Sequence, residues 1–152
     1  MLRRASRPAR GGNKGCEIHA QAPARHTRPV NVILIALGGA LGSVCRYALS
    51  AGVQRFTSPL FPYGTFVVNV AGCLAFGVII GAARDRIVLD PPARAFLLVG
   101  ILGGFTTFST FTYETFVLLQ AGEPLSAFLN AGGQLACGLA ALWLGYVVAT
   151  AL

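Results

Sequence analysis

Four apolar stretches, each about as long as the roughly 20 helical residues that cross a bilayer core, take up almost the whole chain after its first 29 residues. They run over residues 30–53, 63–83, 95–119 and 125–152, and the short connectors hold the chain breakers: Ser58-Pro59 and Pro62, then Asp90-Pro91-Pro92, then Gly122-Glu123-Pro124. Hydropathy is continuous within each stretch instead of alternating over about ten residues, which predicts helices and not a membrane barrel. The connectors leave no room for an extramembrane domain. With 55% hydrophobic and 11% charged residues among 152, the chain lacks the polar surface a water-soluble core of this size would need. The expected fold class is an all-α membrane protein: one transmembrane domain over residues 30–152, with four helices.

The formal charge of +7 belongs to a tail. Residues 1–29 hold Arg3, Arg4, Arg7, Arg10, Lys14, Arg25 and Arg28 against Glu17, whereas the remaining residues hold five basic and four acidic groups. A nearly neutral body predicts no nucleic-acid partner; lipid is its expected surroundings. The tail, rich in Arg, Pro, Ala and Gly, is expected to be disordered, as a transit peptide, a topology signal, a misplaced start or a lipid-surface clamp. With four spans, ten basic residues fall on the side of the tail and Arg55 alone on the other, predicting cytoplasmic termini in a multi-pass protein of the cell (inner or plasma) membrane. Without the tail the bias falls to three (Arg84, Arg86, Arg94) against one.

Several chemistries lack their parts. Both histidines, His19 and His26, lie in the tail. Cys45, Cys73 and Cys137 sit in separate apolar stretches without a CxxC spacing, as packing residues would. No nucleophile–base pair, metal cluster or phosphate-binding GxxxxGK[ST] occurs in the body, so enzymatic activity is not expected.

The polar and small residues inside the stretches carry the functional signal. Gly38/Gly42, Gly77/Gly81 and Gly100/Gly104 each form a GxxxG, serving either packing within the chain or contact with a second copy. Four helices have enough perimeter to pack together but not to enclose a pore as well, so a homo-oligomer is expected. In the third stretch, Gly103 and Gly104 precede hydroxyls at 106, 107, 109, 110 and 112. Either a close-packed continuous helix results, or a break that aims carbonyls at a hard cation. Phe108 and Phe111 share a face, as ordinary packing rings or as two positive ring edges offered to an anion. Thr65, Asn69 and Cys73 make one stripe at i, i+4 and i+8, where Asn69 is interhelical glue or gives two hydrogen bonds to an anion. Asn130 and Gln134 pair one turn apart with the same two readings. Arg46 attracts anions, pairs with Glu114 or anchors its helix.

The runs GGALGSVCRY (38–47), PYGTFVVNVAGC (62–73) and GGFTTFSTFTYET (103–115) closely resemble the CrcB/Fluc fluoride channels. The resemblance implies an antiparallel, dual-topology homodimer with a broken third helix and two fluoride pores. It also implies a structural, untransported Na+ held by the carbonyls of Gly103 and Thr106. Carried onto this chain, the anion pathway would use Asn69, Phe108 and Phe111, hydroxyls among Thr65, Thr107, Ser109, Thr110 and Thr112, and Arg46 at the basic position of the first helix. Two departures stand out: Gln134 replaces the small hydroxyl residue expected on the fourth helix, and the basic tail opposes dual insertion.

On this reading fluoride entering as neutral hydrogen fluoride ionises in the cytoplasm and leaves passively, which limits its toxicity. Two other classes compete. A proton-coupled cation exporter resembling the small multidrug transporters needs a first-helix carboxylate, and that helix has Arg46 and no acid. A non-conducting assembly subunit would use its glycine faces only to bind other helices.

Overall fold

A computed structural model describes residues 29–85 and 87–152, so the expectations for the tail and for Arg86 lie outside the described residues. All regular structure among the described residues is helical: α1 (Pro29–Arg55), α2 (Tyr63–Asp85), α3 (Pro91–Arg94), a π-helical segment (Ala95–Leu102), α4 (Gly103–Phe105), α5 (Phe108–Gln120) and α6 (Pro124–Ala151). From α3 to α5 the chain makes one apolar rod, Pro91–Gln120, and with α1, α2 and α6 it gives four segments long and apolar enough to cross a membrane. This is a multi-pass membrane protein.

Each connector is built from the breakers. Gln54 closes the first one: its Nε2 donates to the carbonyls of Ser58 (2.9 Å) and Phe61 (3.2 Å), and its Oε1 accepts from Gly64 N–H (3.1 Å). Asp90 caps α3 by accepting from Ala93 N–H at 2.8 Å, with Pro91 and Pro92 where no N–H is needed. Gly122 turns the chain into α6 at φ +75°.

α2 packs chiefly on α6, and α1 on the third span. Glycine makes both contacts possible. A Cβ on Gly38 would lie 2.6 Å from the Phe96 carbonyl oxygen, and one on Gly104 2.6 Å from that of Gly39. Gly42 meets Ile101, Gly77 meets Leu142 and Gly81 meets Tyr146, in each case at the carbonyl. The three GxxxG faces are therefore consumed within the chain.

Among the described residues the interior mixes apolar side chains, Leu102 and Leu118 among them, with buried polar ones. The two largest fully buried side chains are Val68 and Asn130, and Thr65 and Gln134 are buried beside them. Outside stand Leu37, Val44, Val99, Leu139 and Trp143. In water that apolar surface would drive association; in lipid it is the solvated face.

Candidate functional site

Between α4 and α5 the backbone leaves the helix for two residues: Thr106 (φ −81°, ψ 156°) and Thr107 (φ −148°, ψ 115°) are extended. In a continuous helix Thr107 N–H would close on the carbonyl of Gly103, and Thr110 N–H on that of Thr106. Both N–H groups are taken by side chains. Thr107 N–H donates to Asn69 Oδ1 at 2.9 Å, and Thr110 N–H to Thr107 Oγ1 at 3.3 Å. Thr106 N–H still reaches Leu102 O at 3.0 Å, and the Thr106 hydroxyl donates there too, at 2.9 Å. The carbonyls left without an i+4 donor are those of Gly103, Gly104, Phe105 and Thr106; the Ser43 hydroxyl reaches that of Gly104 at 3.5 Å, and Gly103 and Thr106 are the two whose expected N–H donors are held by Asn69 and Thr107. Both are hard oxygen donors of the kind alkali and alkaline-earth cations take. Among the described residues no group of three His, Cys, Asp or Glu side chains could hold a metal.

Asn69 does more than receive. Its Nδ2 donates to Thr107 O at 3.1 Å and to Gln134 Oε1 at 2.7 Å, so both amide protons have acceptors. Gln134 Nε2 donates to Asn130 Oδ1 (2.8 Å), Asn130 Nδ2 to Thr115 Oγ1 (2.8 Å), and the Thr115 hydroxyl to Phe111 O (2.8 Å). A one-directional ladder of amides thus ties α2 and α6 to both ends of the first turn of α5. It satisfies polar groups that would be costly unpaired in a membrane interior.

Two clefts flank this ladder. One, of about 430 Å³, is bordered by Asn69, Thr106, Phe108, Phe111 and Gln134. There the rings of Phe108 and Phe111 lie 5.6 Å apart, tilted by 51°. Phe108 is 78% exposed on the single chain. The other cleft, of about 370 Å³, is bordered by Arg46, Ser43, Gln54, Thr65 and Thr110. Thr107 lines both. Each holds roughly a dozen waters' volume, far more than one anion fills.

The remaining sequence candidates separate. The Thr65 hydroxyl donates to Glu114 Oε1 at 2.7 Å, so Glu114 takes a threonine from α2. Glu114 Oε2 and Arg46 Nε are buried without hydrogen-bond partners. Ser109 and Thr112 are exposed on α5; the Thr112 hydroxyl donates back to Phe108 O at 2.9 Å, and Ser109 Oγ lies 3.5 Å from Thr107 Oγ1. Thr110 Oγ1 accepts from Thr107 Oγ1 at 2.9 Å. Sequence reasoning gave Thr107 a hydroxyl and missed its backbone role. A threonine just before a helical run is an N-cap signature and marks that role. Thr115 was missed outright, and so were Ser43 and Gln54, which nothing in their local spacing distinguishes.

Residues 33–146 match the family described as CrcB-like protein, Camphor Resistance (CrcB). The chain is 54% identical over 114 residues to a fluoride-specific ion channel FluC of Nitratidesulfovibrio vulgaris (strain Miyazaki F), covering 75% of this chain and 92% of that one. It is 45% identical over 121 residues to the fluoride-specific ion channel FluC of Geobacter sulfurreducens, and 41% over 121 residues to that of Flavobacterium psychrophilum. Each of these two alignments covers 80% of this chain and 98% of the relative.

Proposed function

This chain belongs to the CrcB family, and from that membership we propose that it is a passive, fluoride-specific ion channel of the cell membrane that exports cytoplasmic fluoride, and no enzyme. The observation that carries the proposal is the interrupted third span, held open by Asn69 and Thr107 beside a cleft that has neutral donors and phenylalanine edges. An anion stripped of water needs many weak, uncharged partners that let it go again. Phe108 and Phe111 supply positive ring edges, Ser109 and Thr110 supply hydroxyls, Thr112 gives its proton to the Phe108 carbonyl, and Asn69 holds the wall in place. The route runs from the Arg46 cleft past Thr65, Thr110 and Thr107, the residue common to both clefts, into the phenylalanine cleft. Arg46 draws anions to the entrance, its Nε having no partner in the fold.

The pathway is completed by a second copy in an antiparallel, dual-topology homodimer. The GxxxG faces are occupied within the chain, so the partner covers the remaining unpacked polar-aromatic face of α5: Phe108, Ser109, Thr112, Tyr113 and Phe116. The freed carbonyls of Gly103 and Thr106 fit the structural sodium ion of the family, with the second copy giving an equal pair. When bound, that ion supplies a fixed positive charge next to the anion route. This chain's part is to keep the two carbonyls from re-entering a helix, through Asn69 and the Thr107 hydroxyl.

Purified protein in liposomes tests the proposal with a fluoride electrode. Fluoride efflux with chloride retained is the expected result; equal passage of chloride, or passage of neither ion, overturns it.

A further inference from the structure

We infer that Gln134, and not Asn69, gives the amide proton that a passing anion takes in the phenylalanine cleft, with Asn69 and Asn130 as its positioning residues. The inference rests on the channel reading above and names a contact within it.

It follows from counting protons. A primary amide has two N–H donors and one acceptor oxygen. Asn69 cannot be turned over, because Thr107 N–H can only donate and must meet Oδ1. Its two Nδ2 protons then go to Thr107 O and Gln134 Oε1, and none is left for an anion. At the far end the Thr115 hydroxyl spends its proton on Phe111 O, so it accepts from Asn130. With both ends set, the amides between them have one orientation. Turning Gln134 over would set its Nε2 against Asn69 Nδ2, donor to donor, and its Oε1 against Asn130 Oδ1.

Gln134 therefore spends one Nε2 proton on Asn130, and its other one has no acceptor among the described residues. The side chain borders the cleft beside Phe108 and Phe111. Asn130, fully buried, borders neither cleft. The ladder also strengthens this proton as a donor. An amide whose oxygen accepts a hydrogen bond donates more strongly from its nitrogen, and Asn69 binds Gln134 Oε1 at 2.7 Å. Glutamine here reaches from α6 to α2 while still presenting an N–H to the cleft, which a short hydroxyl residue could not do.

Fluoride efflux from proteoliposomes of the full chain, read against fluoride concentration, tests this. Gln134→Met is expected to lower flux at least tenfold and raise the half-saturating fluoride concentration. Asn130→Leu is expected to cost more in melting temperature and less in flux. Should Gln134→Met fail to assemble, Gln134→Glu keeps the oxygen that Asn69 binds and loses both Nε2 protons, the one given to Asn130 included; the same flux loss is expected, with Asn130→Leu, which cuts that same contact, as its control. Wild-type flux and half-saturation in either Gln134 variant, or flux losses that simply follow stability with Asn130→Leu the worse, overturns the inference. A wild type that passes no fluoride overturns the channel reading and this inference with it.

Discussion

Asn69 and Thr107 are joined by two opposed hydrogen bonds, side-chain amide to main chain, with Thr107 N–H donating to Oδ1 at 2.9 Å and Nδ2 donating to Thr107 O at 3.1 Å. The pair satisfies an extended backbone that lipid could not, and it prevents the third span from closing on Gly103. Asn69→Leu leaves two groups unpaired, Thr107 N–H and Gln134 Oε1, while Thr107 O, the N-cap carbonyl of α5, keeps its place in the helix. At about 1–3 kcal/mol for each buried unpaired group, with incomplete additivity, a loss of at least about 2 kcal/mol is expected. Asn69→Asp should fare no better, because a carboxylate oxygen would face the Thr107 carbonyl and Gln134 Oε1, acceptor against acceptor. Thermal unfolding in detergent, followed by the single tryptophan, Trp143, checks both, and a wild-type melting temperature for Asn69→Asp would contradict the direction of both Nδ2 hydrogen bonds.

The Thr107 hydroxyl makes the second capture, accepting from Thr110 N–H. Thr107→Val keeps the shape and removes that cap, at a cost of about 1 kcal/mol, whereas Thr107→Ser keeps it and should stay within about 0.5 kcal/mol of wild type. With Thr110 N–H released toward the Thr106 carbonyl, the valine variant should need more sodium to conduct. Fluoride efflux measured as sodium is replaced by N-methylglucamine gives the comparison, and identical sodium dependence in the two variants would remove the carbonyl-holding role.

The four spans and their connectors were legible because they follow from local facts: apolar length, and prolines or glycine at each bend. The use of the GxxxG faces was not, since Gly38 meets Gly100 across 62 positions of sequence and spacing is silent about which helix fills a groove. Site residues were legible as types. Asn69, Gln134 and Asn130 stood out because an amide in hydrocarbon must have partners, but their order in one ladder depends on the register of α2 against α6. Glu114 shows the same limit: opposite charge made Arg46 a natural partner, and the packing gives its Oε1 the Thr65 hydroxyl. The π-helical turn over Ala95–Leu102 has no signal in its run of apolar residues that a plain α-helix would lack.

Phe108 and Phe111 differ in setting, which separates their function from their packing. Phe108 is mostly exposed on the chain and Phe111 half-buried in the cleft, so replacing either with isoleucine removes little core. Phe108→Ile and Phe111→Ile should each lower fluoride flux by about tenfold, equivalent to about 1.4 kcal/mol in the barrier, with the melting temperature of Phe111→Ile nearly unchanged and that of Phe108→Ile lowered only by what its ring contributes to the contact with the second copy. Flux equal to wild type in both would reduce the rings to packing.

The contact between α1 and the third span sets where the interruption lies, and a single methyl group tests it. A Cβ at Gly42 would collide with the Ile101 carbonyl oxygen and lie 2.9 Å from Phe105 N, both backbone atoms that no side-chain rotation can clear. Gly42→Ala must therefore push α1 away from α4, at about 1–3 kcal/mol. It also shifts Phe105, next to Thr106, so flux should fall along with stability. Gly52→Ala, on the same helix with nothing within 4 Å, is the counterpart: it should gain about 0.5–1 kcal/mol from helix propensity and leave flux alone. Opposite signs in the two melting temperatures are expected. If both variants were stabilised, α1 would not approach the third span closely enough to exclude a methyl group, and the freed carbonyl of Gly103 would lose the wall that holds α4 in place.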